Sequence, residues 1–360
     1  MTAEAFNLKA ERLCSIIDIR EVLYTHSRGI DRADLNLLDA AYHDNAQVDY
    51  GFFQGGAREF ARILIPAQAA SAVTTHRHQM PWITVDGESA ISESYVIACA
   101  AGEDDGLPVQ RIIGGRYLDT LKRHHGEWKL AFRRYVMDFN INLPDTGSSP
   151  MLQATLANFV PRGGHGAADV GIALLALGQV AKGTGERIEM SESTENKLSA
   201  ALDKIELNEL MSKYCRGVDR CDTALLQDIF EPDAEVVTGA INGSGADFSA
   251  GIGALVSQNM DRVFHSVSNQ YIELNGDKAV SETYVIASST AGGSQSVFTG
   301  RYLNSFRKRD GVWRITRHVW VQDWDMTHPS TDSSDGMYEA LNPRGCFGRE
   351  DPVYAHWQTL

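Results

Sequence analysis

An aspartate and a histidine recur in register in the two halves of this 360-residue sequence: Asp31 with His76, 45 residues on, and Asp219 with His265, 46 residues on. Imidazole ordinarily titrates near pH 6.5, about where a general base for neutral solution should lie. A carboxylate bonded to one ring nitrogen would fix the tautomer and stabilise the imidazolium formed when the ring takes a proton. The same residues also have plainer readings. Asp31 and Asp219 sit in Gly-Ile-Asp-Arg-Ala-Asp and Gly-Val-Asp-Arg-Cys-Asp, a natural turn before a helix, where Asp34 and Asp222 suit the helix start at least as well. His76 has a rival two positions on, His78, whereas His265 has no such neighbour.

The register comes from a duplication. RGIDRADLNLLD (28–39) matches RGVDRCDTALLQ (216–227), and ITVDGESAISESYVIA (83–98) matches IELNGDKAVSETYVIA (272–287). GRYLDTLKRHHGEWKL (115–130) matches GRYLNSFRKRDGVWRI (300–315), and PRGGHGAAD (161–169) matches PRGCFGRED (343–351). The offset stays between 189 and 182 over these blocks, which chance does not produce. The chain therefore divides into one unit over 1–170, a second over 196–360, and a linker over 171–195. The apolar start of that linker, GIALLALGQV, predicts a short helix, and the Gly/Ser/Glu-rich remainder predicts an exposed connection.

Elements must bring each aspartate to its histidine. Leu13, Ile16, Ile17, Ile19 and Leu23 recur at helical spacing in copy one, as do Ile205, Leu210, Met211 and Tyr214 in copy two. Gly29 and Gly217 predict the ends of these opening helices, and a second helix is expected over about 33–43. Stretches 81–85, 90–100, 110–122 and 127–139 are rich in Ile, Val, Tyr, Phe and Trp and are separated by DGES, EDDG and HHGE, which predicts a run of hairpins. Helices followed by antiparallel strands predict an α+β fold, with a curved sheet wrapped around the helices and a pocket on its concave face.

Composition narrows the partners. Hydrophobic residues at 43% and charged residues at 22% make a normal globular balance. A net charge of −14 disfavours nucleic acid and anionic membranes as partners. Five cysteines without CxxC spacing predict neither a disulfide framework nor a zinc site, and a reduced cytoplasmic setting is expected. No signal peptide or membrane span is read in the chain. HExxH, Walker and GxGxxG patterns are missing, so no metal and no cofactor is expected.

The order of an opening helix, a Gly-Ile/Val-Asp turn, a histidine ahead of a hairpin, a Gly-Arg-Tyr strand and a Trp-bearing last strand resembles the SnoaL-like branch of the NTF2-like superfamily, over both copies. That branch includes scytalone dehydratase, hexachlorocyclohexane dehydrochlorinase and bile-acid 7α-dehydratase. The resemblance implies two tandem cone-shaped barrels, each with an Asp-His dyad: Asp31 orienting His76, and Asp219 orienting His265. It also implies pocket roles for Tyr214 and Arg133, whose counterparts are His26 and His318. Tyr50 on the first strand is a candidate substrate contact, with Thr238 in its place in copy two, and so are Tyr24, His78, Trp82 and Tyr271. The tryptophans read first as core fillers. Gly115-Arg116 and Gly300-Arg301 read as a sheet bend with a structural ion-pair arginine.

The expected activity is a cofactor-independent lyase. It would eliminate water or another small molecule, or release formaldehyde by C–C cleavage, from a hydroxylated aromatic or alicyclic compound. A proton-shuttling isomerase and a non-catalytic binding or assembly module are the alternatives, since this fold hosts all three. Self-association of the chain into a homo-oligomer is also expected.

Overall fold

The computed structural model describes residues 3–71, 74–145, 164–169 and 192–359. The short helix expected over 171–180 lies outside them. Copy one runs α1 (Ala3–Asp31), α2 (Leu35–Ala41), β1 (Tyr42–Asp49), β2 (Gln54–Gly56), α3 (Ala57–Ala70), β3 (Thr75–His78), β4 (Trp82–Asp86), β5 (Ser89–Asp104), β6 (Leu107–His124) and β7 (Glu127–Pro144). Copy two repeats this order as α4 (Glu192–Asp219), α5 (Thr223–Ile229), β8 (Phe230–Val237), β9 (Asn242–Ser244), α6 (Gly245–Asn259), β10 (Arg262–Asn275), β11 (Lys278–Ala291), β12 (Ser294–Arg309) and β13 (Val312–Pro329). A short α7 (Pro352–His356) follows near the C-terminus.

The opening helices bury most of the stripe that their sequence marks, Ile16, Ile19 and Leu23 in α1 and Ile205, Leu210, Met211 and Tyr214 in α4, and they bury Ile30 and Leu207 besides. Ile17, expected on the same stripe, is 45% exposed. Neither helix stops at its glycine. Gly29 and Gly217 lie inside α1 and α4, two residues before the end. They let the next helix come close: a Cβ on Gly217 would sit 2.6 Å from Leu226 Cδ2, and one on Gly29 3.0 Å from Leu38 Cγ.

The first sheet has the order β2-β1-β7-β6-β5-β3, with β4 also on β5, and the second has the order β10-β11-β12-β13-β8-β9. The long hairpins are antiparallel, but β1 joins β7, and β8 joins β13, in parallel. The single strand β10 does the work of β3 and β4 together. In copy one Pro81 has no N–H for the ladder and the strand breaks there, whereas copy two absorbs the same point as a bulge between Ser268 and Gln270. Gly115 and Gly300 stand at bulges on their strands, where a Cβ would meet the Val136 or Val321 carbonyl at 2.4 or 2.2 Å. Two helices were not anticipated: α3 and α6 pack against β1 and β8 and contribute Phe60 and Phe248 to the cores.

The copies pack face to side. Tyr95, Ile97, Phe139 and Ile141, on the outer face of the first sheet, join the core of copy two, with Tyr95 and Phe139 against Phe264 at 5.3 and 5.0 Å. The C-terminal segment returns to copy one, where Tyr338 and Leu341 enter its core and Val353 packs on Leu118 and Val136. Arg116, 0% exposed, binds Asp138 and Asp351, and Asp351 also holds Arg220 at 3.1 Å. Arg116 is therefore a structural ion-pair arginine.

Candidate active site

Each opening helix ends by delivering a carboxylate to the sheet. In the Gly-x-Asp-Arg-x-Asp turn the two aspartates divide the work. Asp34 caps α2 by accepting the Asn36 and Leu37 N–H groups, and Asp222 caps α5. The residue before each cap, Ala33 or Cys221, takes left-handed φ of 50° or 55° and reverses the chain. Asp31 and Asp219 are thereby left to face β3 and β10.

Asp31 grips its histidine twice: Oδ2 accepts the His76 backbone N–H at 2.8 Å, and Oδ1 meets His76 Nδ1 at 2.7 Å. Thr74 donates its hydroxyl to Oδ1 at 3.1 Å. Asp219 repeats the grip on His265 at 2.9 and 2.5 Å. Two bonds from one carboxylate fix both ring position and tautomer, with the proton on Nδ1 and a basic Nε2 remaining. The aspartate side chains are 8% and 0% exposed and the histidines 14% and 15%, so the carboxylates are shielded and the imidazoles remain reachable.

His265 borders a cavity of about 290 Å³ with Tyr214, Thr238, Phe248, Tyr302 and Trp320. His76 borders two chambers. One, about 200 Å³, is mainly apolar, walled by Tyr50, Phe60, Tyr117 and Tyr135, and roofed by Met337 and Leu341 from the C-terminal segment. The other, about 270 Å³, is polar and lies between Tyr24, Ser27, Arg28, Arg32 and His78, with Asp31 at its edge. A cavity of about 150 Å³ accepts one benzene ring, so these spaces suit molecules of one or two rings. Burial pushes the phenols of Tyr50, Tyr117, Tyr214 and Tyr302 up, which keeps them protonated as hydrogen-bond donors at neutral pH.

Several expected contacts lie elsewhere. Arg133, 0% exposed, is held by both Asp119 oxygens at 2.7 Å, donates from Nη1 to His26 Nδ1 at 2.6 Å and lies over the Tyr117 ring at 4.0 Å. That bond puts the His26 proton on Nε2, which meets the Tyr42 hydroxyl at 2.7 Å. Arg133 and His26 form the wall behind the apolar chamber rather than its lining. His318 occupies the Arg133 register in copy two, and bonds Asn304 through Nδ1 at 2.7 Å. A charged pair in one half is thus a neutral pair in the other, and both are cross-strand neighbours on the sheet. Burial first, then Arg133, holds His26 well below the usual imidazole range, and burial pushes His318 down to about 3.

Tyr24, His78, Tyr50 and Tyr214 do border the chambers. Trp82 does not: it packs on Trp357 at 4.1 Å, between the copies, with the Arg216 guanidinium 4.6 Å from its ring. Tyr271 falls on β10, and its side chain lies outside the described residues. Sequence reasoning did not single out Tyr117 and Tyr302 of the Gly-Arg-Tyr motif, nor Thr74, nor the roof residues Met337 and Leu341. The recurring tyrosine beside each Gly-Arg was a usable signal; a roof supplied by the far end of the chain had none.

Among the described residues no group of three or more His, Cys, Asp or Glu side chains is arranged to hold a metal. No helix among them is long and apolar enough to cross a membrane. The chain is similar in structure to a type 3 hexachlorocyclohexane dehydrochlorinase from Novosphingobium barchaimii, at 19% identity and a TM-score of 0.34, over 37% of this chain and 94% of that one. It is similar also to an NTF2-like superfamily protein from Salmonella enterica serovar Typhimurium, at 18% identity and a TM-score of 0.32, over 34% of this chain and 92% of that one. No curated protein sequence matches it. Residues 11–134 and again 199–319, more than half of the chain, match the SnoaL-like domain. The chain belongs to the SnoaL-like domain family, with two such domains in tandem.

Proposed function

We propose that the chain is a cofactor-independent lyase that eliminates water, or another small leaving group, from a hydroxylated aromatic or alicyclic compound of one or two rings. One observation carries the reading: in both halves a buried carboxylate holds Nδ1 and the backbone N–H of a histidine that borders a cavity. In the proposed step His Nε2 takes a proton from carbon beside an electron-withdrawing group. The electron pair becomes the C=C bond as the C–O bond breaks, and the imidazolium returns the proton to the departing hydroxide. Water and an alkene leave, and the histidine is neutral again. Asp31 or Asp219 stabilises the imidazolium between the two transfers, and such acid–base assistance is worth about 10²–10⁴ in rate. The buried tyrosines supply donors for a substrate oxygen. The linings differ in shape, with Val256 and Thr238 in copy two where copy one has Gln68 and Tyr50, so the two chambers accept different substrates.

The test is a panel of cyclic alcohols and phenol-type ring compounds, followed by ultraviolet absorbance for a conjugated alkene. Turnover lost in His76→Gln/His265→Gln supports the reading. Isomerised product without loss of water would assign the dyads to proton shuttling. Binding without turnover across the panel would assign the fold to a carrier role.

A further inference from the structure

Two surfaces are each covered in one copy and bare in the other. On the outer face of β5, Ile91, Tyr95 and Ile97 are 1%, 2% and 6% exposed, while their counterparts on β11, Val280, Tyr284 and Ile286, are 50%, 47% and 37% exposed. On the opening helices, Ile205 and Ser212 of copy two are 7% and 6% exposed, while Ile17 and Tyr24 of copy one are 45% and 42% exposed. The covered members cover each other. Arg216 binds Glu93 at 3.1 Å, Ser212 donates to the Met80 carbonyl at 3.1 Å, and Gln79 donates to the His265 carbonyl at 3.2 Å. The outer sheet of copy one is therefore a plug, and the α4/β10 side of copy two is its socket.

The bare socket on copy one carries the same residue type with hydrogen-bonding capacity unused. Arg28 stands where copy two has Arg216. Its Nη2 lies 3.7 Å from the Asp169 carboxylate, but neither Nη2 nor Nε makes a hydrogen bond, and nor do Ser27 Oγ and the two ring nitrogens of His78. All three residues border the polar chamber of about 270 Å³ beside His76. The bare plug carries the complement: Glu282, at the register of Glu93, is flanked by Val280, Tyr284 and Ile286.

We propose that these two surfaces form a joint between chains, in which the β11 face of one chain docks on the α1/β3 side of copy one in a second copy of the same chain. Glu282 enters the polar chamber beside the second chain's Arg28, and Tyr284 and Ile286 cover its Ile17 and Tyr24. The contact is heterologous, so association proceeds head to tail and ends only when a ring closes. Resting on the lyase reading, the joint has a catalytic consequence: it closes the polar chamber and covers the Asp31 carboxylate, 8% exposed, as the Asp219 carboxylate, 0% exposed, is already covered within the chain.

Sedimentation velocity on the full-length chain at micromolar concentration tests this without substrate. The expected result is a multiple of the one-chain mass, with Tyr284→Lys/Ile286→Lys falling to the one-chain mass at unchanged circular dichroism. Arg28→Glu and Glu282→Arg each weaken association at least tenfold, and both changes in one chain restore it. A wild-type chain that stays single at every concentration overturns the proposal. An assembly indifferent to Tyr284→Lys/Ile286→Lys overturns it equally. Loss of turnover in the histidine variants at unchanged mass leaves the joint standing, so the two readings fail separately.

Discussion

Replacing Asp119 with Asn leaves the Arg133 guanidinium charged, buried and without its carboxylate. Both side chains are 0% exposed, and two bonds of 2.7 Å join them. Removing one partner of such a pair costs about 3–5 kcal/mol, most of it the penalty for an uncompensated buried charge. Arg133→His creates the opposite fault, a stranded carboxylate, at similar cost. Copy two shows how both faults cancel, because His318 and Asn304 make a neutral bond of 2.7 Å at the same register. The double variant Asp119→Asn/Arg133→His should therefore cost only about 1–2 kcal/mol, chiefly the bond that His26 loses from Arg133. The coupling between the two changes is then at least about 4 kcal/mol. Urea unfolding followed by circular dichroism reads all four proteins, with the shift in midpoint at constant slope giving each loss. Single variants that each lose less than about 1 kcal/mol, or a double variant as unstable as the sum, would refute the reasoning.

Stability should fall in mild acid. His26, His78 and His318 are held neutral by burial in the folded chain, His318 at about 3, while the unfolded chain takes up protons below about 6.5. Glu209, pushed up to about 7 by burial, works in the opposite sense, because its folded carboxyl gains a proton on the way down from pH 7 to 4.5. The net loss between pH 7 and 5.5 is about 2 kcal/mol, and Glu209→Gln should steepen it to about 4 while raising stability at pH 8; thermal melts across that range check both. Gly217→Ala places a Cβ 2.6 Å from Leu226 Cδ2 and should cost about 1–3 kcal/mol, whereas Gly29→Ala, at 3.0 Å from Leu38 Cγ, should cost less; melting temperatures rank the two.

The duplication made much of the molecule legible, because it separates residues that a shared site needs from residues that vary. It singled out His76 over His78 through His265, and both histidines meet their aspartates. Depth was not legible. Strand alternation places Arg133 and His318 on the concave side, but it does not say whether they line a chamber or lie behind its wall; that depended on Asp119 and Asn304 across the hairpin. Gly29 and Gly217 look like helix stops because a close approach between helices leaves no local mark. The helices α3 and α6 were obscured by Pro66 and by the Gly/Ser-rich stretch 245–259, although the Ser244–Asp247 capping box was there to be read. Trp82 faces the other copy, and no pattern within one copy records that.

The central claim is that the two histidines are the bases. It is tested most directly by turnover of His76→Gln, His265→Gln and the double variant on one active cyclic alcohol, with folding verified by unchanged melts. The double variant should lose about 10²–10⁴ of the rate, and one single variant should account for most of that loss on any given substrate. A double variant that eliminates water at the wild-type rate would contradict it.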